Sequence, residues 1–177
     1  MKQELVDTIV SRSENIDAAF SIHWSIEGVK LEIIKMLKEE IQISVKEKFE
    51  LEVTFDDNFG EAESEFNLFK KDWAYKITFG FGETQDYDNP WIGVENKGGI
   101  SSQTQEDKDL IQKALEGNLH LGRLYVGNPR WIWCSDLEEL NDVSWSEMKN
   151  KYTKEIITTL GNILANIKHI IEKPIIN

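Results

Sequence analysis

Several things are scarce in this chain. It has one cysteine, Cys134, in 177 residues, which excludes an internal disulfide and any zinc site built on cysteines. Three prolines occur, and no Pro/Gly/Ser-rich stretch divides the chain, so one domain over residues 1–177 is expected. No run approaches the ~18 consecutive apolar residues of a membrane span. The first residues, Met1-Lys2-Gln3-Glu4-Leu5-Val6-Asp7, lack the apolar segment of a signal peptide. A cytoplasmic location and no membrane partner are the resulting expectations. Positive charge is short as well: 20 Lys+Arg stand against 32 Asp+Glu, a net charge of -12. Such a surface repels phosphate and disfavours nucleic acid as a partner.

What is present is enough for a core. Apolar residues make up 40% and aromatics 10% of the chain, which excludes wholesale disorder. Residues 3–20 carry a partial helical stripe through Leu5, Ile9 and Ile16. Residues 25–41 carry a clearer one, Ile26, Val29, Ile33, Ile34, Leu37 and Ile41, with Ser25 as the expected N-cap. The period then becomes two. Phe49, Leu51, Val53 and Phe55 alternate with charged or polar residues, and residues 56–60 turn the chain.

Trp73, Tyr75, Ile77, Phe79 and Phe81 form the most regular alternation, predicting a strand with one buried face. Residues 86–90 are expected as a loop and 91–95 as the returning strand, closed by Gly98-Gly99. A helix is expected from Ser101 or Ser102 to Glu116, then strands at 119–126 and 130–134. Ser144-Trp145-Ser146-Glu147 has the spacing of a capping box. Behind it Met148, Tyr152, Ile156, Leu160, Ile163, Ile167 and Ile170 mark a long helix ending before Pro174. The fold class expected is α+β. A mostly antiparallel sheet of about five strands would have N-terminal helices and a long C-terminal helix packed against it.

Chemical motifs are few. His23, His120 and His169 have no metal-ligand spacing, and no nucleophile elbow occurs. Cys134 follows Trp131-Ile132-Trp133 and has the setting of a small buried hydrophobe. The glycines of Gly80-Phe81-Gly82 lack a phosphate-loop signature. Two features suggest contact with other molecules. The first is an acidic stretch without Lys or Arg: Glu50, Glu52, Asp56, Asp57, Glu61, Glu63 and Glu65. It is a solvated strand face with its loop, or a docking surface for a basic protein. The second is the C-terminal stripe. If the first helix covers only part of it, Ile163, Ile167 and Ile170 would be exposed and would hold a second copy or another protein.

The segment Trp91-Ile92-Gly93-Val94-Glu95-Asn96-Lys97 ends in Glu-x-Lys and resembles the metal-binding strand of PD-(D/E)XK nucleases. That resemblance implies Mg²⁺ held by Glu95 and an earlier aspartate, Asp72, Asp86 or Asp88, with Lys97 positioning the attacking water. A wider pattern, over residues 70–171, resembles the C-terminal accessory region of bacterial PD-(D/E)XK-superfamily proteins. It consists of the Trp73–Phe81 strand, the Trp91–Val94 strand, the tryptophan-rich Arg130–Trp133 strand and a Trp-containing cap into a long helix. This resemblance implies a non-catalytic protein-binding or regulatory module of a bacterial or phage system. It has no cofactor, and Glu95 and Lys97 would be incidental. An acidic decoy that mimics DNA is a third expectation, resting on the charge alone.

Overall fold

A computed structural model describes residues 2–59, 63–82, 89–97, 105–116, 130–137, 140 and 143–172. The chain opens with helix α1 (Lys2–Val10) and helix α2 (Ser13–Phe49). Strands β1 (Glu52–Phe55), β2 (Glu65–Phe69), β3 (Tyr75–Gly80) and β4 (Trp91–Asn96) follow. Helix α3 (Gln105–Glu116), strand β5 (Trp131–Asp136) and helix α4 (Trp145–Ile171) complete it. The five strands pair in chain order, β1-β2-β3-β4-β5, and every pairing is antiparallel. The α+β class with a long C-terminal helix is therefore as expected. No helix among the described residues is long and apolar enough to cross a membrane.

The period-two pattern decides which sheet face is buried. Val53, Phe55, Phe66, Leu68, Ile77, Phe79, Ile92 and Val94 point to one side and join the core cluster. Trp73, Tyr75, Ile77, Phe79 and Phe81 are all buried there, and β3 pairs with the strand that holds Trp91. Helix α4 lies over this face. Its Tyr152 ring stands 6.1 Å from the Phe81 ring and 6.4 Å from Phe79. Met148, Ile156, Leu160, Ile163 and Ile167 are buried along the same helix and belong to the same core cluster. Helix α3 is tied to β3 by Tyr75, whose hydroxyl donates to Asp107 at 2.8 Å. Burial first, and the Asp107 carboxylate second, push the Tyr75 phenol above its ordinary pKa.

Several boundaries differ from the expectation. Helix α2 runs unbroken for 37 residues, through the Ser25 position expected to start it. Ser25 Oγ donates back to the Ser21 carbonyl at 2.8 Å, so its hydroxyl is satisfied inside the helix and caps nothing. The real break is at Arg12, whose backbone is extended at φ -146 and ψ 141. There Ser11 Oγ and Asn15 Nδ2 both donate to the Thr8 carbonyl, so side chains occupy an acceptor that a continuing helix would use. Helix α2 also claims Phe49, expected in a strand, because Ile41, Val45 and Phe49 continue its i, i+4 stripe. Strand β2 was not expected at all, although Glu65-Phe66-Asn67-Leu68-Phe69 alternates in burial. The expected strand at 119–126, the cap at Ser101 or Ser102, and Gly98-Gly99 lie outside the described residues. Ser144 does precede α4, but its hydroxyl donates to the Glu147 carboxylate at 2.9 Å and does not accept from a backbone N–H.

Candidate functional site

Two surfaces carry side chains that could act on other molecules. The first is the outer face of the sheet, opposite α4. Strand pairing puts Glu65, Asn67, Lys76, Thr78 and Glu95 there, and the chain turning into β5 adds Arg130. Arg130 forks between two carboxylates. Its Nη1 and Nη2 donate to Glu65 at 2.8 and 2.6 Å, and its Nε and Nη2 donate to Glu95 at 2.9 Å each. Lys76 Nζ stands 2.9 Å from Glu95 Oε1, and the Thr78 hydroxyl is at the same distance. Thr78 Oγ1 is also 2.8 Å from Asn67 Oδ1; its single hydrogen serves one acceptor at a time, and the charged one is preferred.

The network is electrically closed, two carboxylates against two cations. Burial by itself would raise the Glu95 carboxyl; the bonds from Arg130, Lys76 and Thr78 outweigh it and hold the group below the usual carboxylate range. The bonds to Glu95, more than those to Glu65, keep the Arg130 guanidinium above its ordinary pKa. The Arg130 guanidinium also lies 4.4 Å over the Trp131 ring. Beside it, Trp91 and Trp131 pack edge to face at 4.8 Å, and each covers a glycine. A Cβ on Gly80 would meet Trp91 at 2.3 Å, and one on Gly93 would meet Trp131 at 2.7 Å. Glycine at both positions is what lets the two indoles approach the sheet backbone so closely.

The residues of the Glu-x-Lys segment are thus placed individually. Glu95 is engaged by three donors. Lys97 turns its ammonium to the carbonyls of Lys70 and Lys71, at 2.8 and 3.3 Å, over the Phe69 ring. It clamps the β2–β3 turn. Asp72 is exposed in that same turn. Asp86 and Asp88 lie outside the described residues. Among the described residues no three His, Cys, Asp or Glu side chains gather as a metal site would need. Cys134 is buried, and burial pushes its thiol up to about 12.

The acidic stretch is dispersed. Glu50 closes α2 in a left-handed backbone conformation, φ 57, with its N–H on the Lys46 carbonyl. Asp56 accepts from the Glu65 N–H at 2.8 Å and shapes the turn into β2. Glu63 is left-handed too, and its N–H donates to Gly82. Glu65 belongs to Arg130. Glu52 and Asp57 are exposed, and Glu61 lies outside the described residues. Of the six described acids, the carboxylates of Asp56 and Glu65 are taken up by the turn into β2 and by Arg130, while Glu50, Glu52, Asp57 and Glu63 are exposed. Sequence reasoning missed Arg130, which joins one acid of this stretch to the Glu-x-Lys glutamate. The available signal was that it is one of only three arginines, beside the tryptophan-rich strand.

The second surface is helical, and it corrects the expected contact patch. Ile163, Ile167 and Ile170 are 0%, 0% and 3% exposed, so they are core rather than interface. Their cover is the second half of α2, through Ile34, Leu37, Ile41 and Val45, not the first helix. The uncovered apolar face lies at the other end of α2. Of the eleven exposed large hydrophobic residues among the described ones, ten lie on α1 and α2, from Leu5 to Ile43. Helix α2 spans roughly 55 Å at ~1.5 Å per residue, and its side chains become buried only from Ile34 onward. Before that point it forms an arm with α1. A groove of about 410 Å³ runs along the arm, between Ile22, Ile26, Val29 and Ile33 on one side and Trp145 on the other. Lys30 sits over the Trp145 ring at 5.5 Å and marks where the arm leaves the domain. No protein-family model, no curated protein and no solved structure matches this chain.

Proposed function

We propose that this chain is a non-catalytic protein-binding module, of the accessory kind its PD-(D/E)XK-like pattern suggests, and that the α1–α2 arm is its contact surface. One observation carries the reading: the exposed large hydrophobics are concentrated on the arm, with Leu5, Val10, Phe20, Ile22 and Leu31 each at least 60% exposed. A concentration of exposed apolar side chains marks interaction sites, because water gains when they are covered. The outer sheet face supports the non-catalytic part. Its carboxylates are already neutralised by Arg130 and Lys76, which suits a structural tie better than a cation site.

The test is site-specific photo-crosslinking in cells that express the chain. A photoreactive residue at Val29 should give a discrete protein adduct, and one at exposed Lys154 on α4 should not. Absence of any adduct at Val29, Ile22 and Leu5 would overturn the proposal.

A further inference from the structure

One set of α2 side chains repeats every seven residues, and exposed Phe20 and Leu31 lie outside it. Ile22, Val29, Met36 and Ile43 are each seven apart, and so are Ala19, Ile26, Ile33 and Glu40. The two series interleave at steps of three and four. That is the a/d seam of a left-handed coiled coil, with Ile22 and its series at d and Ile26 and its series at a. The face packed on α4 is carried by Ile34, Leu37 and Ile41 at the neighbouring b and e positions, and seam residue Ile33 is half-buried, packing against the core beside Trp145. Seam residues Ile22, Ile26, Val29, Met36 and Ile43 are 62, 46, 58, 44 and 54% exposed. At the middle of the arm stands Gly28, with nothing within 4 Å of where its Cβ would be. A mid-helix glycine weakens an unsupported helix.

We propose that the seam is filled by a second copy of this chain, its α2 running antiparallel. The proposal rests on the arm being the contact surface and names its occupant. Self-complementarity is the first argument. Pairing about the midpoint between Glu27 and Gly28 sets Ile26 against Val29 of the second copy, Ile22 against Ile33, and Ala19 against Met36. Each pair occurs twice, giving six layers that are apolar on both sides. Charge is the second argument. A parallel pair would bring Glu40 against Glu40 inside the seam, whereas this register leaves it outside the six layers. There it keeps its own-chain partner Lys149 at 3.6 Å. Between Ala18 and Met36 the chain carries Glu27 and Glu32 against Lys30 and Lys35, so this window is neutral in a protein of net charge -12. Two copies meet here without the repulsion that the rest of the surface would impose.

Area sets the strength. The half-exposed seam side chains of two arms would remove roughly 300–600 Å² of apolar surface from water. A stable interface takes about 1,200 Å² or more. The pair is therefore a weak, concentration-dependent one.

Analytical ultracentrifugation of the full chain from ~1 μM to ~1 mM should move from 20.5 kDa to twice that mass. Ile26→Asp with Val29→Asp should remain monomeric throughout, with its helical signal in the globular part intact. Ile43→Asp, outside the six layers, should associate as the parent does. Direction is read by mild oxidation of an equimolar mixture of Ile26→Cys and Val29→Cys chains; buried Cys134 does not compete. Mixed 26–29 disulfides support the antiparallel register. A monomer at every concentration, or 26–26 disulfides as the main product, overturns the proposal. If the chain is monomeric but Val29 still crosslinks to a different protein in cells, the arm remains the contact surface and only the second copy fails. If Val29, Ile22 and Leu5 all give no adduct, both readings fail.

Discussion

Glu95 separates a structural reading of the outer sheet face from a catalytic one. Its side chain is 9% exposed and accepts from Arg130, Lys76 and Thr78. Glu95→Ala leaves Lys76 without its carboxylate and Arg130 with Glu65 alone. Removing one member of a buried pair costs about 3–5 kcal/mol. Here the cations are partly wet, Lys76 at 24% and Arg130 at 41%, and Glu65 still holds the guanidinium bidentately. The expected loss is therefore about 2–3 kcal/mol, or roughly 4–12 °C in Tm for a chain of this size. Urea unfolding followed by tryptophan fluorescence measures it. A double-mutant cycle with Arg130→Ala should show coupling of about 1 kcal/mol or more. The pH dependence has a fixed sign. The folded Glu95 carboxyl lies below its unfolded value. Its contribution is thus complete above the unfolded pKa of about 4.3 and is lost as pH falls below that toward the folded value. Glu95→Gln should flatten that acid limb. A Glu95→Ala change within about 0.5 kcal/mol of the parent, or additivity with Arg130→Ala, would refute the reasoning. The same variant decides the chemistry. Mg²⁺- or Mn²⁺-dependent plasmid cleavage by the parent, lost in Glu95→Ala and Lys97→Ala without loss of stability, would establish the nuclease instead.

Ile163→Asp should abolish cooperative unfolding or lower stability by more than about 4 kcal/mol, because it buries an unpaired charge between α2 and α4; a folded variant on urea titration would contradict that packing. Gly93→Ala should cost about 1–3 kcal/mol and alter the near-UV circular dichroism, since the new methyl displaces the Trp131 indole; an unchanged spectrum would count against the indole's position. Glu50→Gly should stabilise by up to about 1 kcal/mol, because a left-handed helix end suits glycine, and thermal melts would show a higher Tm.

How much was legible in the sequence varies by element. Strands β3 and β4 were legible because their pattern is set within the segment: Trp73 to Phe81 alternate strictly, and the period of two puts the large apolar residues on one face. Helix α4 was legible for the same reason at a period near 3.6. Helix α2 was only half legible. Its apolar residues cover two adjacent faces, and periodicity cannot say which of them packs inside. Strand β2 was hidden because five residues give too short a pattern, and its place is set by its neighbours β1 and β3.

The candidate surfaces divide along the same line. The composition, the acidic balance and the type of most elements follow from the sequence alone, since each depends on residues near one another in the chain. Which carboxylate meets which cation does not. Glu65, Glu95 and Arg130 are 30 to 65 residues apart and converge only because β2, β3, β4 and β5 pair in one register. The same holds for the apolar stripes. Ile163 and Val29 look alike in sequence, and only the docking of the second half of α2 onto α4 makes one core and leaves the other exposed to water.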